Sequence, residues 1–344
     1  MENVTPSCRL CGALLKRRNV RRCYSCGSDL RVSATSANSS VLPAQSPVVT
    51  PSSGDAALSE KLQPLNVKKQ IFQTIGFLLL APALFVLFLS RAGMVDGGLT
   101  LGLGVLGGIL GAICLYISNS YGKEKKALIS KHVIQGVLEE NFELVKYAPL
   151  ESFSEEQLRI SQLRGWNKFK GNDFFQAKYK NVSFQFSDVW LGRSRANRLK
   201  GQWLILDLYR EIPAPLIISE LERRGDLGRK ARVQLEQTPF SDRFTVLTES
   251  PDSIPKILTP EFIEYLLTAD DQSFYNGQHL FFMGKQAHYG INSELDLFEP
   301  CDNVQNIPAL RERVQEEIDH IKRIIDGFLL IEGLFQGAET EDDR

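Results

Sequence analysis

The chain has 344 residues, enough for two or three folded units, and a formal net charge of -1. Near-neutral charge supplies no global basic field, which argues against nucleic acid as the main partner. The average hides segregation: residues 1–30 hold six basic and two acidic side chains, and residues 339–344 hold one basic and four acidic.

Cys8-x-x-Cys11 and Cys23-x-x-Cys26 stand at the head of the chain, each pair followed at once by glycine. In a reducing compartment structural disulfides are disfavoured. Two such knuckles bring four thiolates to one ion, so Cys8, Cys11, Cys23 and Cys26 read as the ligands of one structural zinc. Residues 1–30 then resemble a zinc ribbon. A redox dithiol is the weaker reading, because no thioredoxin-like βαβ pattern surrounds the pairs. A closed four-thiolate site has no open position for chemistry, and its metal supplies the folding energy that so small a piece lacks. Lys16, Arg17, Arg18, Arg21 and Arg22 lie between the pairs. They suit a solubilising surface or contact with anionic lipid better than nucleic acid.

Residues 31–65 follow, rich in Ser, Ala, Thr, Val and Pro over most of their length. Such a composition buries too little surface to offset its ordering entropy, so it is expected to be a disordered tether with a reach on the order of 30 Å.

The segment 66–120 contains two uncharged runs, 71–90 and 97–118. About 20 helical residues cross the ~30 Å hydrocarbon core, and a pair of such runs six residues apart reads as a transmembrane hairpin. Lys61, Lys68 and Lys69 flank the first run, and Lys123, Lys125, Lys126 and Lys131 follow the second, whereas the loop between has only Arg91 and Asp96. The positive-inside rule puts both termini in the cytoplasm. Glycines 98/102, 104/108 and 107/111 fit Gly-x-x-x-Gly. Packing within the hairpin is the simpler use of that pattern, and homo-oligomerisation the alternative. Neither run has an ionisable carboxylate, amine or imidazole, so the pair reads as an anchor rather than a transport path.

Residues 121–338 read as an α+β domain, an antiparallel sheet flanked by helices, ahead of the acidic tail 339–344. The stretch 121–145 has helical periodicity through Leu128, Val133, Ile134, Val137, Leu138 and Leu144. Ser154-x-x-Gln157 is a capping box opening a short helix. Phe175, Ala177 and Tyr179 alternate, as do Val182, Phe184 and Phe186, which predicts two strands joined at Lys180-Asn181. Further strands are expected at 202–211, 215–222, 231–237 and 243–249. Thr259-Pro260-Glu261 opens a helix. Residues 278–292 read as a hairpin turning at Gly284-Lys285. A last helix from Pro308 carries Leu310, Val314, Ile318, Ile321, Ile325 and Phe328 at helical spacing, and is expected to lie close to the 121–145 helix.

The order of these pieces, with "FSDV" (186–189), "KGQW" (200–203), "LTPEFIEYL" (258–266), "LFFMGKQAHYGI" (280–291) and "LDLFEP" (295–300), resembles the bacterial family catalogued as domain of unknown function 3137. The resemblance covers roughly residues 65–335. It implies a bacterial membrane protein, which the topology above places in the inner membrane, and a LemA-like membrane protein as partner. It supplies no activity and no catalytic residues.

Side chains with chemical capacity are few. His279 and His288 fall in the expected hairpin, where two imidazoles without a third ligand read as sheet-face residues. Asp188, Asp207 and Glu211 are scattered carboxylates. No phosphate-binding glycine loop, zinc-protease helix motif or nucleophile elbow occurs. The expectation is a cytoplasmic-facing scaffold or adaptor that recruits a protein partner to the membrane. The alternative is a membrane-bound hydrolase with a noncontiguous site in the 166–300 sheet, for which Asp188, His279 or His288 would have to converge on a pocket.

Overall fold

The computed structural model describes residues 53–92, 98–193, 196–221, 233, 238–273, 276–293, 295–299 and 307–335. Cys8, Cys11, Cys23 and Cys26 lie outside the described residues, as does most of the stretch read as a tether. The chain divides into two units, Met1–Ile134 with Pro300–Glu312, and Gln135–Glu299 with Arg313–Arg344.

In the first unit, α1 spans Ser53–Arg91 and α2 spans Gly98–Ile129, followed by one π turn at Ser130–Ile134. Helix α1 therefore takes in residues 53–65, which composition had assigned to the tether. Leu58, Leu62 and Leu65 explain this: their spacing puts them on one helical face, and all three are buried. The helix continues through Pro64 and Pro82. Both helices are long and apolar enough to cross a membrane, with only 11% and 17% of their most apolar stretches buried.

The glycines of α2 let the two helices approach. A Cβ at Gly111 would sit 3.0 Å from the Gly76 carbonyl oxygen and from Leu80 N, and one at Gly104 would sit 3.2 Å from Val86. Gly107 and Gly108 face Ala83. Gly98 and Gly102 have nothing within 4 Å. Two of the three small-residue pairs thus serve packing within the hairpin. At one end of the hairpin, Ser118 Oγ donates to Lys69 O at 2.9 Å and Lys125 Nζ to Asn66 Oδ1 at 2.7 Å. Further down, Arg311 pairs with Asp55 at 3.1 Å.

The second unit opens with α3 (Gln135–Asn141) and β1 (Glu143–Ala148). The continuous helix expected over 121–145 is corrected here. Its last residues are strand, because Glu143–Ala148 pairs antiparallel with the second strand while Phe142 packs on Phe175 and Phe184. Next come α4 (Glu155–Ile160), β2 (Lys168–Tyr179) and β3 (Val182–Arg193). The Ser154 capping box forms in full. Lys180 and Asn181 both take positive φ, 46° and 63°, the tight turn that suits the twist of a two-residue hairpin.

The chain continues as β4 (Ala196–Ser219), α5 (Pro239–Arg243), β5 (Thr245–Thr248), α6 (Ile254–Ile257), α7 (Pro260–Ser273), β6 (Gln278–Asn292) and α8 (Ile307–Leu329). All pairings are antiparallel, in the order β1-β2-β3-β4-β5, with β6 also on β4. Two expectations change. Residues 202–211 and 215–222 are not separate strands but lie largely within β4, whose register shifts between Asp207 and Leu216. Residues 278–292 are one bent strand, not a hairpin, since their ladder partner is β4 from Ser219↔His279 to Gly201↔Asn292. Gly284, at φ 58°, allows the bend, and the ends of β6 meet where Asn276 N donates to Asn292 O. Of the strand expected at 231–237, only Val233 is described; its N–H bonds Val246 O.

The sheet buries both faces. Phe175, Phe184, Phe186 and Phe298 stack on one, together with Phe282 and Tyr289 against Phe328 of α8. Phe153, Leu158, Leu163 and Trp166 cover the other, against Val189, Leu191, Leu199, Trp203 and Ile205. Helix α8 also meets α3: Asn141 and Gln315 exchange side-chain bonds of 2.8 and 2.9 Å, and Lys322 Nζ reaches Asn141 Oδ1 at 2.6 Å.

Candidate functional site

Strand alternation sorts the polar side chains onto two faces. On the face covered by α4, the Trp203 ring lies 6.1 Å from that of His279 and 6.3 Å from that of His288. Gly290 makes the room: a Cβ there would stand 2.4 Å from the indole. His279 is fixed at both nitrogens. Its Nε2 donates to Ser161 O at 3.0 Å, which leaves Nδ1 to accept from Ser219 Oγ at 3.0 Å. Among the described residues, His288 and the Trp203 indole N–H are buried without hydrogen-bond partners. Burial lowers the pKa of both imidazoles to about 4, and His279 adds to the effect on His288. Both rings are therefore neutral at neutral pH.

On the opposite face, carboxylate oxygens of Asp173, Asp188 and Asp296 lie within 4.8 Å of one another. A bulge between Asn172 and Phe175, with Asp173 at φ 54°, places Asp173 here. Asp188 is buried and accepts from Gln202 Nε2 at 3.2 Å and from Leu297 N at 2.9 Å. Asp173 accepts from Tyr147 Oη at 3.1 Å and Asn172 Nδ2 at 2.6 Å. Burial, then the charges of Asp296 and Asp173, raise the pKa of Asp188 well above the usual carboxylate range. Glu317, which accepts from Phe298 N at 2.9 Å, is also raised, mainly by burial. A hard cation or a proton would relieve the crowding of these acids. The bonds already made by Asp188 tie the 295–298 loop to the sheet, which is a structural use of a carboxyl group.

The sequence-level candidates thus separate. Asp188 sits on one face and His279 and His288 on the other, so the three do not converge on one pocket. Beside Asp188, Ser187 Oγ contacts Ser152 Oγ at 2.8 Å and donates to Asn172 O at 2.7 Å. Asp188, read from sequence as a scattered carboxylate, has partners after all. Asp207 is raised by burial and stays apart from this cluster. Sequence reasoning missed Asp173, Asp296 and Gln202. One signal could have found two of them: the short motifs converge. Asp188 of "FSDV" is bonded by Gln202 of "KGQW" and by Leu297 of "LDLFEP", while Gly290 of "AHYGI" holds Trp203.

These features define an antiparallel α+β domain on a chain that also has two helices able to cross a membrane. Residues 197–330 match the family described as "Protein of unknown function (DUF3137)", in support of the resemblance read from the sequence. No curated protein matches the chain. Among solved structures it is similar to the mycobacterial trehalose monomycolate transport factor A, TtfA, at 9% identity and a TM-score of 0.34, over 57% of this chain and 92% of that one. A likeness of that size carries no argument about fold or function.

Proposed function

We propose that this chain is a membrane-anchored adaptor without catalysis of its own. The α1–α2 hairpin holds it in the bacterial inner membrane with both termini in the cytoplasm. The α+β domain recruits a protein partner, and a zinc ribbon on Cys8, Cys11, Cys23 and Cys26 makes a second contact. Two modules on one anchor raise the effective concentration for a bivalent target. One observation supports this most: the buried histidines and carboxyls of the sheet are spent on internal bonds and packing on opposite faces, while Val145, Leu150 and Tyr209 stand 71%, 84% and 59% exposed. A LemA-like membrane protein is the first partner to test, on the family resemblance alone.

The experiment places a photoreactive side chain at Val145, Leu150 or Tyr209 of the full chain in cells. A discrete adduct with one protein is expected from at least one position. Only diffuse or lipid adducts at all three positions would count against recruitment through the domain.

A further inference from the structure

We infer that the end of the hairpin marked by Lys68 and Lys123 binds anionic phospholipid headgroups; this rests on the anchoring role proposed above. Five lysines and one glutamate lie in 66–70 and 118–126, against Arg91 and Asp96 alone between residues 71 and 118. The structure brings the lysines of the two helices to one end of the hairpin. Ser118 Oγ bonds Lys69 O, and a Cβ at Gly122 would lie 3.8 Å from Lys69 Nζ. Lys68 Nζ stands 5.7 Å from the centre of the Tyr121 ring, which packs 5.9 Å from Phe72. Lysine beside an amphipathic ring is what a membrane–water interface favours.

Depth agrees with charge. Lys68 and Lys69 lie about 3–5 Å below the first uncharged run, and Lys123 and Lys126 about 8–12 Å below the second, at 1.5 Å per residue. That is the headgroup layer flanking a ~30 Å core. Lys125 turns inward to Asn66 and is left out of the contact. Lys68 and Lys123 are exposed, and Lys69 and Lys126 half-buried. The occupant is the phosphate of an anionic lipid, because only a negative headgroup gains from this excess of ammonium groups.

The test uses the full chain purified in mild detergent and washed after mixing with equal amounts of phosphatidylglycerol and phosphatidylcholine. Phosphatidylglycerol should be retained at roughly five-fold excess, an effect that high salt weakens. Replacing Lys68, Lys69, Lys123 and Lys126 by Gln should bring the ratio to about one, and replacing them by Arg should preserve the excess. Equal retention by the wild type, or an excess unchanged in the Gln variant, would overturn the inference while leaving the anchor intact. Alkaline extraction of cell membranes separates the two claims. Release of the wild type into the soluble fraction would overturn the anchoring, and this inference with it.

Discussion

His279 donates from Nε2 to the carbonyl oxygen of Ser161 at 3.0 Å, joining β6 to the turn that closes α4. The bond needs a neutral ring with its proton on that nitrogen, because Nδ1 accepts from Ser219. His279→Phe fills the space but leaves Ser161 O and the Ser219 hydroxyl without this partner. The full chain should lose ~1–3 kcal/mol of stability, read by chemical unfolding at pH 7.5.

Acidification should expose the same group. In the fold its pKa is lowered from 6.5 to about 4, so the unfolded chain binds the proton first. The stability it supplies is complete above about pH 6.5 and falls as pH drops toward 4. Asp188 and Glu317 carry the opposite sign, since burial raises theirs and the fold holds their protons longer. The difference between wild type and His279→Phe isolates the imidazole. That difference should narrow between pH 6.5 and 4; a constant difference would mean the ring takes up its proton in the fold as readily as in the unfolded chain.

The acidic cluster allows a sharper substitution pair. Asp188→Ala strands the Leu297 N–H and the Gln202 amide, and should cost ~1–3 kcal/mol. Asp188→Asn keeps an acceptor for Leu297 and removes a charge that burial opposes, so it should cost less than alanine. Millimolar Mg²⁺ or Ca²⁺ should leave the melting temperature of the wild type unchanged. A rise of several degrees, lost in Asp188→Asn, would reassign Asp173, Asp188 and Asp296 as a cation site.

Much of this architecture is legible in the sequence, and the exceptions lie where the pairing is irregular or distant along the chain. Alternation at 175/177/179 and 182/184/186 gives β2, β3 and their turn, because each strand has a consistent buried face. Ser154 and Thr259 give helix starts, because a cap is a local bond; Thr259 Oγ1 accepts from Phe262 N at 3.3 Å. By contrast β4 reads as two strands, since its irregularity between Asp207 and Leu216 breaks the alternation. Strand β6 reads as a hairpin, since Gly284 mimics a turn, whereas it pairs with Ile212 of β4. The grouping of Asp173, Asp188 and Asp296 depends on a bulge and a loop that only the assembled sheet defines.

In the hairpin, Gly111 and Gly102 should behave differently. Gly111→Leu drives a side chain into Gly76 and Leu80 and should loosen the α1–α2 pair, seen as faster proteolysis in lipid nanodiscs. Gly102→Leu meets nothing within 4 Å and should leave the hairpin as stable as before.

The zinc proposal has its own test. Purified full chain should carry one zinc, held through four bonds near ~2.3 Å by Cys8, Cys11, Cys23 and Cys26. Cys23→Ser should lose the metal and leave the rest of the chain folded. Metal-free wild type with two disulfides would contradict both the zinc and the cytoplasmic placement of the N-terminus.

Recruitment by the α+β domain is tested most directly by capture of the full chain from membranes, beside a chain whose residues 66–120 are exchanged for an unrelated two-span anchor. One protein should co-purify at fixed stoichiometry with both, and should be lost when residues 135–335 are removed. A chain that captures no protein at fixed stoichiometry, or a partner that follows the native hairpin instead of the domain, would contradict it.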